Sequence, residues 1–272
     1  MDKAAVIIPT YQTGSYMLEL LKLLKKQDES SFDIIIVLNG PKEPYQTQIK
    51  QWISDLDMNN VTLFYSTVKG VSAARNLALD NCSSDYVVFI DDDDLVNTEY
   101  LSELMKKADP KRIIAANFTS FVVKEDKFQF SPDYCGREFR NCRNDDIILP
   151  PGQCPSVFSS SCGKLIPTAM IGKIRFKCNL FCGEDSFFMF QLLCNGVSQV
   201  AYAPVAEYRR RIRTNSASRK KYSIAVILKN RLQLLFLYTK CYSANIRKIN
   251  MFFFLRRIAA VIKGFFHLVN QR

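Results

Sequence analysis

Histidine is almost absent: His267 is the only one in 272 residues. A histidine-based catalytic triad therefore has nothing to be built from, and structural zinc has few ligands to use. The nine cysteines do not fill the gap: Cys178 and Cys182 stand four apart and Cys135 and Cys142 seven apart, and neither is a zinc spacing. An odd cysteine count in a long chain, behind a start (Met1-Asp2-Lys3-Ala4-Ala5-Val6) with no apolar signal-peptide core, points to free thiols in a reducing compartment. No apolar run reaches the ~18 uncharged residues that a membrane-spanning helix needs. Internal repeats and low-complexity segments are missing too. So is acid from residues 246–272, which hold no Asp or Glu.

What is present is a large apolar fraction, 48%, and a net charge of +11. The first is enough for a substantial core. The second favours anionic partners: nucleotide phosphates, nucleic acid or an anionic membrane surface. The most informative stretch is Tyr86-Val87-Val88-Phe89-Ile90 running straight into Asp91-Asp92-Asp93-Asp94. The apolar part is continuous rather than alternating, as in a strand buried on both faces. Adjacent aspartates cannot lie in a core without partners. The strand is therefore expected to be buried, with its C-terminal end at water, a metal or a cationic ligand, where open α/β sheets bind ligands. Carboxylate oxygens suit magnesium, which also bridges to phosphates, so a metal–diphosphate site is expected at Asp91 to Asp94. The alternative is a solvated acidic loop that caps a helix starting near Asn97.

Strands are predicted at 4–8, 34–38, 61–65 and 86–90. They alternate with helices at 18–24, 45–56, 71–79 and 98–107, which argues for a parallel sheet with helices on both faces. After Asp109-Pro110 the pattern changes. Strands at 113–123 and 128–130 read as antiparallel, and 135–155 as a long irregular loop of functional type. A short strand is expected at 163–166, a helical turn at 168–172, a helix at 186–194 and strands at 197–203 and 205–208. From 222 onward the chain reads as two helical pieces that break near 243–245.

Four stretches stand in order: Val6-Ile7-Ile8-Pro9-Thr10-Tyr11, Gly70-Val71-Ser72-Ala73-Ala74-Arg75-Asn76, Phe89-Ile90-Asp91-Asp92-Asp93-Asp94, and Gly183-Glu184-Asp185. Together they resemble a family 2 glycosyltransferase of the GT-A fold, over 4–218. The resemblance implies an α/β, Rossmann-like, mostly parallel sheet with C-terminal helices. It divides the chain into a nucleotide-sugar-binding half (1–109), an acceptor-side half (110–218) and a basic helical appendage (219–272).

The same resemblance implies an inverting transfer of a sugar from a nucleotide-diphosphate sugar, a UDP-sugar by default, to a glycan or lipid-linked glycan. Pro9, Thr10 and Tyr11 would cradle the nucleoside, with the Tyr11 ring against the base. The family's base-binding aspartate is replaced by Asn39, which offers a donor and an acceptor. Arg75 would bond a base carbonyl or a phosphate, or else tie its helix to the Asp91 strand end. Asp91 and Asp93 match the two key acidic positions and would hold Mg2+ or Mn2+ on the diphosphate, with Asp92 between them on the donor side. Asp185 would be the general base, its pKa raised by Phe181, Phe187 and Phe188. Arg211 and Arg213 are candidates for diphosphate contact, and 215–219 for a loop near the phosphates. The family's metal-reaching histidine is absent.

Residues 246–272 mix bulky apolar residues with cations, the pattern of an interfacial helix on an anionic bilayer. A cytoplasmic protein, peripheral on the inner face of the membrane, is the expectation, and a chain cut after Asn245 is expected to keep donor binding. The alternative is a helix packed on the rest of the protein. Two other readings stay open. One is a sugar nucleotidyltransferase of similar fold, although Gln12-Thr13-Gly14-Ser15 is not its Gly-rich basic loop. The other is a non-catalytic basic protein that binds membrane or nucleic acid, although four aspartates at a strand end repel phosphate unless a metal intervenes. No nucleic-acid partner is expected.

Overall fold

The uniform apolar runs that begin the chain lie side by side in the middle of one sheet. In the computed structural model, which describes residues 2–29, 31–125, 127–140, 147–213 and 222–270, β1 (Ala4–Thr10) is buried along its whole length. Parallel to it run β2 (Phe32–Leu38) on one side and β4 (Tyr86–Phe89) on the other, and β3 (Val61–Tyr65) pairs with β2. The connections are α1 (Ser15–Lys25), α2 (Tyr45–Asp55) and α3 (Val71–Asp80). The chain leaves β1 in one direction, through β2 and β3, and returns on the other side at β4. That reversal opens a crevice between the C-terminal ends of β1 and β4.

The second half continues the same sheet. β9 (Lys164–Pro167) pairs antiparallel with both β4 and β6 (Arg112–Lys124), so β6 points the same way as β4. β10 (Gln199–Arg211) is parallel to β6, and β7 (Lys127–Pro132) folds back on β6 as an antiparallel hairpin. The order is β3-β2-β1-β4-β9-β6-β10-β5, with β5 (Leu95–Val96) antiparallel to β10. α4 (Tyr100–Met105), α5 (Thr168–Ile171) and α6 (Glu184–Leu192) complete this half. Phe187, Phe188, Met189 and Phe190 of α6 are all buried. Phe188 stacks on Phe176 at 3.9 Å between ring centres, and Phe89 of β4 meets both rings edge-on.

Several expectations are corrected. The strands read at 197–203 and 205–208 are one strand, β10, whose register against β6 shifts between Ala203 and Glu207. Pro204, which has no N–H to give a ladder, lies in that irregularity and mimics a strand end in the sequence. The helix expected at 98–107 begins only at Tyr100, because Leu95 and Val96 are buried as a strand against β10. The 135–155 stretch holds 3-10 turns at Tyr134–Phe139 and Pro151–Gln153 and a short strand, β8 (Ile148–Leu149), on β10. Cys142 and the expected loop at 215–219 fall outside the described residues.

The C-terminal helices, α7 (Ile224–Ala244) and α8 (Met251–Asn270), are not a detached appendage. Leu234, Tyr238, Phe253 and Val261 belong to the same continuous core as the sheet. Arg257 is buried and donates to Ser159 Oγ at 3.1 Å. Truncation after Asn245 is therefore expected to destabilise the whole chain, contrary to the sequence reading. Burying Phe253 and Val261 is worth about 1.5–3 kcal/mol each. A melting-temperature loss on the order of 10 °C should follow. An unchanged thermal midpoint in the shortened chain would show that α8 is dispensable to the core. Among the described residues no helix is long and apolar enough to cross a membrane.

Candidate active site

The crevice between β1 and β4 is closed by a hydrogen bond at the two strand ends: Thr10 Oγ1 donates to Asp92 Oδ2 at 2.5 Å. Burial, more than any other cause, pushes the Asp92 carboxyl up to about 7, against the Thr10 hydrogen bond that lowers it. The turn after β4 is held from beneath by its last aspartate. Asp94 is 3% exposed; it accepts from Tyr208 Oη at 2.6 Å and from Arg211 N at 2.8 Å. Asp94 N donates to Asp91 O, which closes the turn. Asp94 is thus consumed by the fold, and the carboxylates left at the rim are Asp91, Asp92 and Asp93. Asp93 pairs with Arg213 at 2.5 Å.

Arg75 ties this turn to α6. Its side chain is 3% exposed, and its two end nitrogens reach different carboxylates: Nη2 to Asp91 Oδ1 at 2.7 Å and Nη1 to Asp185 Oδ1 at 2.6 Å. Burial works against the cation, but Asp185 and Asp91 outweigh it, and the guanidinium pKa is raised. The carbon of that guanidinium sits 5.3 Å from the Phe176 ring centre and 5.9 Å from that of Phe89. Among the described residues Arg75 Nε is buried with no hydrogen-bond partner. The Asp91 tie is one of the two roles open to Arg75 in the sequence; the second carboxylate, Asp185, is not visible there. Asp185 sits in the first turn of α6, where the helix dipole favours a carboxylate. It also accepts from Ser161 N at 3.3 Å, and 20% of its side chain is exposed.

The nucleoside-side residues gather at the ends of β1 and β2. Pro9 and Thr10 are buried inside β1, and Tyr11, just beyond it, is 47% exposed. Gly40 packs so closely under Tyr11 that a methyl group there would lie 1.7 Å from the Tyr11 carbonyl oxygen. Asn39 is 3% exposed, its Nδ2 donating to Gly70 O at 3.4 Å and its backbone N to Thr10 O at 2.8 Å. Arg211 is not free at the rim: it is buried, with Nη2 on Glu19 Oε2 at 2.6 Å and Nε on Asp93 O at 2.9 Å.

A divalent cation of the magnesium type takes oxygen ligands, often one or two carboxylates with the balance from substrate phosphates. The rim meets that requirement. Asp91 exposes 40% of its side chain, and Asp93 lies two residues on across a tight turn. Among the described residues no three or more His, Cys, Asp or Glu side chains converge as a metal cage. An ion here would draw on Asp91 and Asp93 and take its other ligands from phosphate and water.

The model of Glycosyl transferase family 2 matches residues 5–162, which contain the first three of the four motifs. The chain belongs to Glycosyl transferase family 2. It is 28% identical to the glycosyltransferase GlyA of Streptococcus pneumoniae over 224 residues, which is 80% of this chain but only 32% of that protein. The chain therefore spans about a third of that relative's length. A 112-residue stretch, 38% of this chain and 18% of that protein, is 31% identical to the poly(ribitol-phosphate) beta-N-acetylglucosaminyltransferase TarS of Staphylococcus aureus. The crystal structure of TarS residues 1–349 with UDP-GlcNAc superposes with a TM-score of 0.73, at 19% identity, over 96% of this chain and 71% of that one. The mannosyltransferase PcManGT of Pyrobaculum calidifontis, solved with GDP-Man and Mn2+, superposes with a TM-score of 0.59, at 16% identity, over 96% of this chain and 74% of that one. At these identities the superpositions establish the fold, GT-A.

Within this family member, the carboxyl beside Asp185 has an unexpected state. Glu184 is pushed up to about 7, by burial first and by Asp185 second, with Arg75 opposing. A carboxyl whose folded pKa is raised favours folding while it is protonated. That contribution is complete below pH 4.5 and lost as pH rises through about 7. Glu184→Gln is neutral at every pH, so the variant should melt above the parent at pH 8 and level with it near pH 4.5. Melting curves across that range check this; a parent curve that does not fall relative to the variant would place Glu184 in water. The sequence gives no warning of Tyr208 and Ser161, which position the acidic turn and the α6 carboxylate. Ser161 arrives with the segment before β9, which pairs with β4, and Tyr208 reaches the turn after β4 from β10, three strands along the sheet.

Proposed function

We propose that this chain transfers a sugar, with inversion, from a nucleotide-diphosphate sugar to a hydroxyl of a glycan or lipid-linked glycan. The observation that carries the reading is the Arg75 bridge: one buried guanidinium holds both the rim carboxylate Asp91 and the α6 carboxylate Asp185. A donor diphosphate at Asp91 and an acceptor hydroxyl at Asp185 would then be neighbours.

In this reading, Tyr11 offers its exposed ring to the base, while Pro9, Thr10 and Asn39 hold the turn on which it stands. Asp91 and Asp93, flanked by Asp92, face the diphosphate. A magnesium or manganese ion there would neutralise charge on the departing nucleotide diphosphate. Arg213, 40% exposed on its side chain, would compensate phosphate charge once released from Asp93. Asp185 accepts the proton from the attacking acceptor hydroxyl. A carboxylate has about four lone-pair sites, and Arg75 and Ser161 occupy two, so acceptor positions remain open. A UDP-sugar is the default donor. It is supported by the UDP-GlcNAc complex of TarS, although PcManGT carries GDP-Man. We also place the protein in the cytoplasm, on the inner face of the membrane, because Phe252, Leu255, Ile262 and Phe266 are exposed on α8 beside Arg256 and Lys263.

The test is binding of a panel of nucleotide diphosphates, with and without Mn2+, to the intact chain and to an Asp91→Asn, Asp93→Asn variant. Manganese-dependent binding of one nucleotide, lost in the variant, is expected. If no nucleotide binds in a metal-dependent way, the donor site is elsewhere and the reading fails.

A further inference from the structure

A cleft of about 1070 Å³ lies between the start of α8, the Pro151–Gln153 turn and the turn after α6. It lies at the other end of β10 from the aspartate turn, and at the other end of α6 from Asp185. Val200 and Ala201 of β10 pair with β8 at the cleft end of the strand, while Arg211, its last residue, contacts the aspartate turn. From residue 200 to residue 211, strand at ~3.3 Å per residue spans roughly 35 Å. The cleft is therefore separate from the donor end of the candidate active site, and its α6 wall begins at Leu193, about 12 Å of helix beyond Asp185.

Its walls are apolar, with Pro150, Val197, Ile249, Phe252 and Phe253 among them. Its cations are Lys248 and Arg256. Lys248 Nζ donates to Cys194 O at 2.9 Å and Arg256 Nη1 to Gly152 O at 3.2 Å. These bonds fix both heads and leave further N–H donors on each. Among the described residues no carboxylate lines the cleft, and the sequence from 208 to 272 contains none. The positive end of the 20-residue α8 adds to the same potential, with Asn250 Oδ1 accepting from Phe252 N and Phe253 N.

The ligand class follows from what each part asks for. A free inorganic anion would use the cations and waste the walls; a neutral apolar ligand would do the reverse. From Phe252 at the cleft mouth, Leu255, Ile262 and Phe266 continue outward as an exposed apolar stripe, the four being 71%, 50%, 47% and 59% accessible. Their spacing keeps them on one side of the helix. Apolar walls, two cations and an apolar path leading away match a phosphate head on acyl chains. We infer that this cleft is a second, non-catalytic site that binds the headgroup end of an anionic phospholipid, with the acyl chains along the outer face of α8. The inference stands on the cleft and not on the transferase reading.

The full chain should be titrated calorimetrically with dioctanoyl phosphatidylglycerol below its micelle concentration, with dioctanoyl phosphatidylcholine, and with inorganic phosphate. Phosphatidylglycerol should bind at least tenfold more tightly than either of the others. Binding should weaken at least tenfold in a Lys248→Glu, Arg256→Glu variant. It should also weaken in Ser198→Trp, which fills the cleft from an exposed position and leaves the cations in place. Thermal midpoints and manganese-dependent nucleotide binding, measured on the same samples, should match the parent and so separate a lost lipid site from a damaged fold or a failed donor site. Equal binding of phosphatidylcholine, equal binding of phosphate, or unchanged affinity in both variants would each overturn the inference.

Discussion

Asp185→Asn is expected to cut the rate of sugar transfer by about 10²–10⁴-fold, the usual worth of a positioned general base. Nucleotide binding at Asp91 and Asp93 should survive the change. The asparagine keeps the volume of the carboxylate at the start of α6 and can still accept one hydrogen bond from Arg75. What it cannot do is take the acceptor's proton. The loss should therefore fall on kcat with the nucleotide affinity intact, as measured by single-turnover transfer beside equilibrium nucleotide binding. If Asp185→Asn keeps transfer within tenfold of the parent, the base is another group, and Glu184, one residue away and held near neutral, becomes the candidate.

Arg75→Met should damage stability and activity together. The thioether fills much of the arginine's volume beside Phe89 and Phe176, so packing loss is small. Charge loss is not. Asp91 and Asp185 would be left facing one another without the cation that now separates them. Removing one partner of a buried ion pair costs about 3–5 kcal/mol, and part-exposure of both carboxylates puts this case near the lower figure. That corresponds to a fall in melting temperature on the order of 10 °C. Mn2+ with a nucleotide diphosphate should restore part of it, because a cation at Asp91 relieves the same repulsion. Arg75→Lys keeps the charge but not the fork, so it should recover stability more than rate. Thermal melts with and without Mn2+ read both effects; a parental midpoint in Arg75→Met would mean the two carboxylates do not depend on the bridge.

The candidate site was partly legible because its residues are concentrated in short sequence signals. Asp91 to Asp94 follow a strand whose burial is written in Tyr86 to Ile90, and Glu184-Asp185 open a helix after Gly183. Each signal is local. The role of Asp94 was not legible: four identical residues in a row give no hint that the last is turned inward onto Tyr208 and Arg211, 114 and 117 positions away. Arg211, a candidate for diphosphate contact in the sequence, gave no sign there of its partner Glu19, 192 positions earlier.

Local sequence was enough to establish the alternation of strand and helix over the first hundred residues, the acidic strand end and the family. These rest on side-chain period, turn chemistry and contiguous motifs, all set by near neighbours along the chain. Long-range packing alone settled that Arg75 joins Asp91 to Asp185, that burial raises the Glu184 carboxyl, and that α8 is core on one face and exposed on the other. Those outcomes depend on burial and on partners 16 to 110 residues apart, and neither quantity exists until β4, β9, β6 and β10 have assembled into one sheet.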